Sequence, residues 1–170
     1  MDKGLVHIYC GEGKGKTTAA AGLALRARGS GLKVTFVQFL KNGTSGEADM
    51  LKKAGVDFIC GNSNMKFSNR MSDEEKRMFR KGHDDSLRKA LEGDCDLLVL
   101  DEACAACRLG LVDEDLLKEA VIGRPEGREV VLTGRDPGEW MVENADYITR
   151  MECVRHPFEK DVKARKGIEF

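Results

Sequence analysis

The chain has 170 residues, enough for one domain with a full hydrophobic core. Its 28 basic and 29 acidic residues give a net charge of −1, which argues against a general nucleic-acid-binding protein, and no apolar run approaches the ~20 residues of a membrane span. The first strand follows Met1 so closely that we expect no signal peptide, a cytoplasmic location and six free cysteine thiols.

The N-terminal segment predicts a strand, a glycine-rich turn and a helix. The apolar run over 4–10 is typical of a buried strand, and residues 16–28 are typical of a helix. The turn resembles a P-loop, in which amides and a helix N-terminus hold phosphate, a lysine reaches the terminal phosphates and a threonine hydroxyl binds Mg²⁺. The predicted triphosphate-binding residues are Gly11, Glu12, Gly13, Lys14, Gly15, Lys16, Thr17 and Thr18.

The glycine spacing of this turn is unusual. The first glycine of the common pattern would stand at position 10, which is Cys10, and Gly11 comes one residue late. We therefore expect a tighter loop than usual, with Lys14 as a second cation inside it.

The next elements alternate between strand and helix. A nearly continuous apolar run over 33–39 predicts a strand of a parallel sheet that is covered on both faces. A polar loop, a helix over 47–54 and a strand over 56–60 follow. Residues 61–71 show no pattern, and Ser72 with Glu75 forms a capping box for a helix that reaches about Leu91.

A second phosphate-site signal lies at 96–102. Four apolar residues precede Asp101 and Glu102, which is typical of a Walker B strand. With a P-loop upstream, this strand predicts a site for a Mg²⁺-bound nucleoside triphosphate, with the Thr17 hydroxyl on the Mg²⁺.

The remaining elements complete an α/β pattern. Helices are predicted from about Ala103, over 113–122 and over 140–144, and strands over 129–135 and 147–151. We predict one domain over 1–170, with a tail at about 155–170. Its fold is a three-layer α/β/α, P-loop NTPase-like (RecA-like) arrangement with a mostly parallel sheet.

Cysteine and histidine residues suggest no further chemistry. Cys104 and Cys107 share a helix face, but a zinc site would need two more ligands, so we interpret them as packing residues. No Ser-His-Asp order emerges, so we predict no protein nucleophile. These residues leave open a nucleotide-dependent enzyme, such as a nucleoside or small-molecule kinase, or a non-catalytic nucleotide switch.

Motifs along nearly the whole chain resemble the P-loop type of ATP:corrinoid adenosyltransferase. The resemblance is carried by Gly11–Ala20, Val37-Gln38-Phe39, Gly46-Glu47, Val99–Glu102, Leu132–Arg135, Ala145-Asp146, His156-Pro157-Phe158 and Lys163–Phe170. The shortened P-loop is itself a feature of that family.

The resemblance implies a reaction in which ATP gives its 5′-deoxyadenosyl group to the Co(I) centre of a reduced corrinoid, and triphosphate leaves. Cobalt would be the nucleophile, which agrees with the missing protein nucleophile. ATP would lie in a reversed sense along the P-loop, with Mg²⁺ on Thr17 and Glu102, Asp101 in support, and Arg135 at the triphosphate. The resemblance also implies a cobalt-reducing flavoprotein as partner and a homodimer.

Three departures from the family pattern concern this chain. Glu12 replaces a frequent Asn, which places a carboxylate near phosphate. In the segment that carries Phe-Thr-Trp in many members, this chain has Phe67-Ser68-Asn69, so only Phe67 is expected to contact the corrinoid. Many members carry a helical N-terminal extension over the site, whereas this sequence starts directly at the first strand, so we expect the corrinoid pocket to be open, or covered by residues 61–71 and the tail.

Overall fold

The sheet contains six strands, which a computed structural model places in the order β3-β2-β4-β5-β1-β6. The model describes residues 3–61, 71–157 and 161–168. All pairings in the sheet are parallel, so the expected mostly parallel sheet is wholly parallel. The strands are β1 Val6–Cys10, β2 Val34–Gln38, β3 Asp57–Ile59, β4 Leu97–Asp101, β5 Glu129–Thr133 and β6 Tyr147–Arg150.

Six helices connect these strands within the described residues. They are α1 Lys16–Gly29, α2 Gly46–Lys53, α3 Asp73–Glu92, α4 Ala103–Arg108, α5 Glu114–Val121 and α6 Glu139–Glu143. Each lies within a few residues of its predicted position. The capping box at the start of α3 is present, because the Ser72 hydroxyl accepts from the Glu75 amide and the Glu75 carboxylate accepts from the Ser72 amide.

Two hydrophobic clusters lie on opposite faces of the sheet and confirm the three-layer architecture. One cluster contains the buried alanines of α1 together with Leu51 of α2. The other contains buried residues of α3, α4, α5 and α6, among them Leu87, Leu117 and Met141. Every residue of β2 and β4 is buried, as expected for central strands covered on both faces.

The parallel arrangement positions the functional residues. All strands end at the same edge of the sheet, and ligands of open α/β sheets bind in the crevice at that edge. The P-loop follows β1, a polar loop follows β2, the acidic pair ends β4, and Arg135 follows β5. The sequence motifs therefore meet in space although they are far apart in the chain.

Candidate active site

The P-loop is anchored to the chain just beyond β5 and β6, the two strands that flank β1. The Gly11 amide donates to the Arg135 carbonyl at 3.0 Å, and the Gly13 amide donates to the Met151 carbonyl at 2.7 Å. Gly11 has φ +97°, and a Cβ there would lie 2.5 Å from the Met151 carbonyl oxygen. The offset glycine is therefore required at position 11, where the loop passes close to the chain after β6.

Lys16 closes the loop from within. Its ammonium donates to the carbonyls of Gly11 and Gly13, each at 2.7 Å. An ammonium has three N–H donors, so these two bonds leave a third for a phosphate oxygen. Gly15, with φ +112°, precedes α1 and lets the chain turn from the loop into the helix.

Asp101 is the buried centre of a polar network. Its Oδ1 accepts from the hydroxyls of Thr17 at 2.8 Å and Thr133 at 2.7 Å. Its Oδ2 accepts from Lys41 Nζ at 3.0 Å and from Gln38 Nε2 at 3.2 Å. The carboxylate is fully buried, so these four donors compensate for the loss of water around its charge.

Glu102 follows Asp101 in a strained backbone conformation. It has φ +63°, which is uncommon for a residue other than glycine, and its amide donates to Thr133 Oγ1 at 2.9 Å. Burial raises the pKa of Glu102, and the neighbouring Asp101 raises it further, although Lys41, Lys16 and Arg135 work in the opposite direction. The two adjacent acidic residues are suited to bind a divalent cation, because its charge offsets the repulsion between their carboxylates.

Arg135 and Glu12 form an ion pair at the rim of the loop. Arg135 Nη1 lies 3.1 Å from Glu12 Oε2, and both side chains are more than 60% exposed, at 64% and 61%. The carboxylate that departs from the family pattern therefore has a cationic partner within the same site.

These elements surround one cleft of about 680 Å³. Its lining comes from the P-loop, from the loop after β2, from Glu102 and Arg135, and from the tail. The residues are Glu12, Gly13, Lys14, Gly15, Lys16, Thr17, Thr18, Ala21, Lys41, Gly46, Glu47, Glu102, Arg135, His156, Gly167 and Ile168. The C-terminal tail thus contributes to the wall of the cleft that the P-loop opens into.

The structure brings together nearly all of the predicted site residues that it describes. Gly11 and Asp101 lie behind the cleft wall, where Gly11 anchors the loop and Asp101 holds Thr17. The predicted corrinoid contact Phe67 lies outside the described residues, so it stays a prediction.

Sequence reasoning missed four polar residues of the site. Lys41, Gln38 and Thr133 contact Asp101, and Glu47 lies 3.7 Å from Lys41 Nζ. Gln38 and Thr133 end β2 and β5, and Lys41 follows β2, whereas Glu47 lies in the first turn of α2. For the first three residues, that position near a strand end was the available signal, but the order of the strands is needed to see that they converge.

The donor set fits a Mg²⁺ ion that arrives with a nucleotide. Mg²⁺ is usually held by one or two carboxylates, substrate phosphates and water. Thr17, Asp101 and Glu102 offer a hydroxyl and two carboxylates beside the cleft. Across residues 3–61, 71–157 and 161–168, no group of three or more His, Cys, Asp or Glu side chains could hold a metal by itself.

Within the described residues, the C-x-x-C pair belongs to no group of side chains that could hold a metal ion. Cys104 is buried and Cys107 packs at the edge of the same hydrophobic cluster. Burial raises the pKa of Cys104 to about 12, so its thiol stays protonated. These positions agree with the interpretation of both cysteines as packing residues.

None of the helices in the described ranges has the length and apolar character needed to cross a membrane.

Comparison with known proteins gives a consistent family. A family model described as "ATP:corrinoid adenosyltransferase BtuR/CobO/CobP" matches residues 2–170. The chain is 33% identical to the corrinoid adenosyltransferase of Pseudomonas aeruginosa over 172 residues, which cover 99% of this chain and 85% of the relative. It is 32% identical to the corrinoid adenosyltransferase of Escherichia coli K12 over 171 residues, with 99% and 87% coverage. It is 33% identical to the corrinoid adenosyltransferase CobA of Salmonella typhimurium over 173 residues, also with 99% and 87% coverage.

Proposed function

The chain belongs to the ATP:corrinoid adenosyltransferase family, whose members use ATP to adenosylate corrinoids, and we propose that the cleft at the P-loop is where this chain does so. The family match over residues 2–170 carries the choice of reaction. It favours adenosyl transfer over the phosphotransferase and switch alternatives, which share the P-loop but not the motifs of the whole chain. The geometry of the cleft supports the assignment of roles below.

The reaction is a displacement at the C5′ carbon of ATP. The Co(I) centre of the reduced corrinoid donates an electron pair to C5′, so a Co–C bond forms. The C5′–O bond breaks, and triphosphate leaves with the electron pair of that bond. No protein side chain has to form a covalent bond, so the protein acts by positioning and electrostatics.

The P-loop side of the cleft would hold the leaving group. Negative charge grows on the triphosphate as the C5′–O bond breaks, and a cation placed there in advance stabilises the transition state. Lys16 and Lys14 line the cleft on the loop, and Arg135 lines it after β5. We assign these three cations to the triphosphate.

The acidic side of the cleft would hold Mg²⁺ through Thr17 and Glu102, with Asp101 in support. When bound, Mg²⁺ neutralises charge on the triphosphate. Asp101 fixes the Thr17 hydroxyl through the 2.8 Å bond, so Thr17 is held at the start of α1, where it lines the cleft. This arrangement supports a role for Asp101 as the residue that orients the ligand rather than as the outermost ligand.

The partners of the reaction follow from its chemistry. A Co(I) corrinoid needs a strong reductant, and the family resemblance implies a flavoprotein that delivers electrons to cobalt. We further propose a cytoplasmic location, a homodimer, and Phe67 as a corrinoid contact.

Anaerobic turnover tests the proposal directly. The protein is mixed with MgATP and chemically reduced cob(I)alamin, while the corrinoid absorption and the release of triphosphate are followed together. We expect adenosylcorrinoid and triphosphate in equal amounts. Release of phosphate or ADP without adenosylcorrinoid would contradict the proposal.

A lysine variant tests whether the P-loop is the site. Lys16→Ala removes the ammonium that spans the loop, so we expect turnover to fall by about 10²–10³-fold, the loss typical for one preorganised electrostatic group. Lys53→Ala is the control, because Lys53 is exposed at the end of α2. Equal activity of the two variants would place the triphosphate elsewhere.

A further inference from the structure

Lys41 lies at the corner where a metal ion would bind. It follows β2, and its ammonium contacts Asp101 Oδ2 at 3.0 Å, Thr17 Oγ1 at 3.3 Å and Glu47 Oε1 at 3.7 Å. The side chain is 31% exposed and lines the same cleft as the P-loop. Lys41 is therefore a cation within bonding distance of two of the residues assigned to Mg²⁺.

The backbone at Lys41 is built to hold this position. The preceding Leu40 has φ +56°, a costly conformation for a residue other than glycine. Its amide donates to His83 Nε2 at 3.2 Å, and His83 Nδ1 lies 2.7 Å from the Leu111 carbonyl. On the other side, the Lys41 carbonyl accepts from Cys60 Sγ at 3.2 Å. These contacts hold the strained backbone at Leu40, and this backbone places the Lys41 ammonium beside Asp101.

The charge of Lys41 is secured by its partners. Burial works to lower the pKa of Lys41, but the carboxylates of Asp101, Glu102 and Glu47 together outweigh burial, so this pKa lies above its ordinary value. The ammonium is therefore charged at neutral pH. It supplies the charge that the buried Asp101 carboxylate needs nearby.

A Mg²⁺ ion and this ammonium would compete for the same atoms. An ion on Thr17 and against Asp101 would place two positive charges within a few ångströms, and their repulsion favours movement of the flexible lysine. Two anions are then within reach of the ammonium. One is Glu47, which is already 3.7 Å away, and the other is the triphosphate in the cleft that Lys41 lines.

We propose that Lys41 is an exchanging cation: it neutralises Asp101 until Mg-triphosphate enters, and its ammonium then turns to the triphosphate and becomes a further binding group for the leaving group. This inference rests on the proposed function, since it takes ATP as the ligand of the cleft. It gives the loop after β2 a direct part in binding the leaving group of that reaction. The competing outcome is that the ammonium moves to Glu47 and takes no part in binding phosphate.

The test separates phosphate binding from metal binding and needs no corrinoid. Lys41→Met keeps most of the length of the unbranched side chain and removes its ammonium group and charge. Two quantities are measured by calorimetry and thermal shift: the affinity for Mg-tripolyphosphate and MgATP, and the stabilisation by Mg²⁺ alone. Lys53→Met is the matched control on the exposed end of α2.

The exchange predicts opposite changes in the two quantities. Lys41→Met should bind Mg-tripolyphosphate about tenfold more weakly or worse, because one charge-assisted contact is lost. The same variant should be stabilised more by Mg²⁺ alone than the wild type, because no ammonium competes for Asp101. An unchanged affinity for tripolyphosphate overturns the proposal, whether or not the response to Mg²⁺ changes.

A wild-type experiment guards against a variant that does not fold. In crystals grown with Mg²⁺ and tripolyphosphate, Lys41 Nζ should lie within hydrogen-bond distance of a phosphate oxygen and no longer contact Asp101. An ammonium that remains on Asp101 or sits on Glu47 overturns the proposal. A wild type that binds neither MgATP nor tripolyphosphate contradicts the proposed function instead, so the two failures are distinguishable.

Discussion

Three cations of the cleft are each engaged by an acceptor of the protein itself. Lys16 donates to two carbonyls of the P-loop, Lys41 contacts Asp101, and Arg135 pairs with Glu12. A triphosphate that enters the cleft therefore has to replace intramolecular partners. The measured affinity will report the difference between these contacts and not the strength of the new ones alone.

Glu12 offers the clearest test of this exchange at the scale of one residue. Glu12→Gln removes a carboxylate beside the phosphate site and releases Arg135 from its ion pair. We expect MgATP to bind about two- to fivefold more tightly, a small gain because exposed ion pairs contribute little. Calorimetric titration at low and high salt measures it, and the gain should shrink as salt screens both charges.

Arg135→Ala is the partner variant for Glu12→Gln. It should weaken MgATP binding, and in the Arg135→Ala background Glu12→Gln should give a smaller gain than in the wild type. Equal gains in both backgrounds would show that Glu12 acts only by repelling phosphate, without any influence of Arg135.

At the scale of the element, the site is built where the carboxyl ends of several strands meet. The sequence predicts only those site residues that belong to a local motif. The P-loop and the acidic pair were predictable because each is a short local pattern with a known chemistry. Gln38 and Thr133 were not, because their roles depend on sheet order. Gln38 is the register partner of Asp101 in β2, and β5 places Thr133 beside the same carboxylate.

The sequence around Lys41 also could not show that its side chain points towards Asp101. Its direction depends on the positive φ of Leu40 and on the bond from Leu40 to His83, which lies more than forty positions further along the chain. The helices and strands themselves were predictable to within a few residues, because hydrophobic periodicity and capping residues are local signals.

Thr133→Val tests the link between β5 and β4. The substitution keeps the shape of the side chain but removes a donor to Asp101 and the acceptor of the Glu102 amide. We expect a loss of about 1–3 kcal/mol in the free energy of unfolding, as for a buried polar group left without its partner. Urea denaturation measures this loss, and MgATP binding should weaken because Asp101 is less firmly held.

Thr149→Val on β6 is the matched control, because Thr149 is exposed in a strand of the same sheet. Its effect should stay within about 0.5 kcal/mol. If both variants lost the same free energy, the cost would belong to threonine in this sheet in general, and the specific role of Thr133 would be contradicted.

At the scale of the whole molecule, His83 connects the helical layer to the loop that carries Lys41. The ring is buried between Phe39 and Phe79, and it bridges the Leu40 amide and the Leu111 carbonyl. Nε2 accepts and Nδ1 donates in this bridge, so the neutral imidazole with its proton on Nδ1 is the form that fits. A second proton on Nε2 would remove the acceptor for Leu40.

The free energy of unfolding should therefore decrease as the pH falls, and His83 should account for part of this decrease. Burial lowers the pKa of His83, although the Leu111 carbonyl and Asp84 oppose this change. The unfolded chain, with an ordinary histidine pKa of about 6.5, takes up the proton first as the pH falls. Because the unfolded state then binds more protons than the folded state, stability declines from about pH 6.5 downward until the lowered pKa of the folded protein is reached.

Urea unfolding between pH 7.5 and 5.5 compares the wild type with His83→Gln, which retains a donor and an acceptor but does not titrate. The wild type should lose more stability over this range than the variant, by at most about 1.4 kcal/mol for each pH unit below 6.5. The other histidines of the chain are present in both proteins, so the difference between the two curves reports on His83 alone. Parallel curves would mean that His83 is protonated equally in the folded and unfolded chains, and its buried bridge to Leu40 could not then depend on the neutral ring.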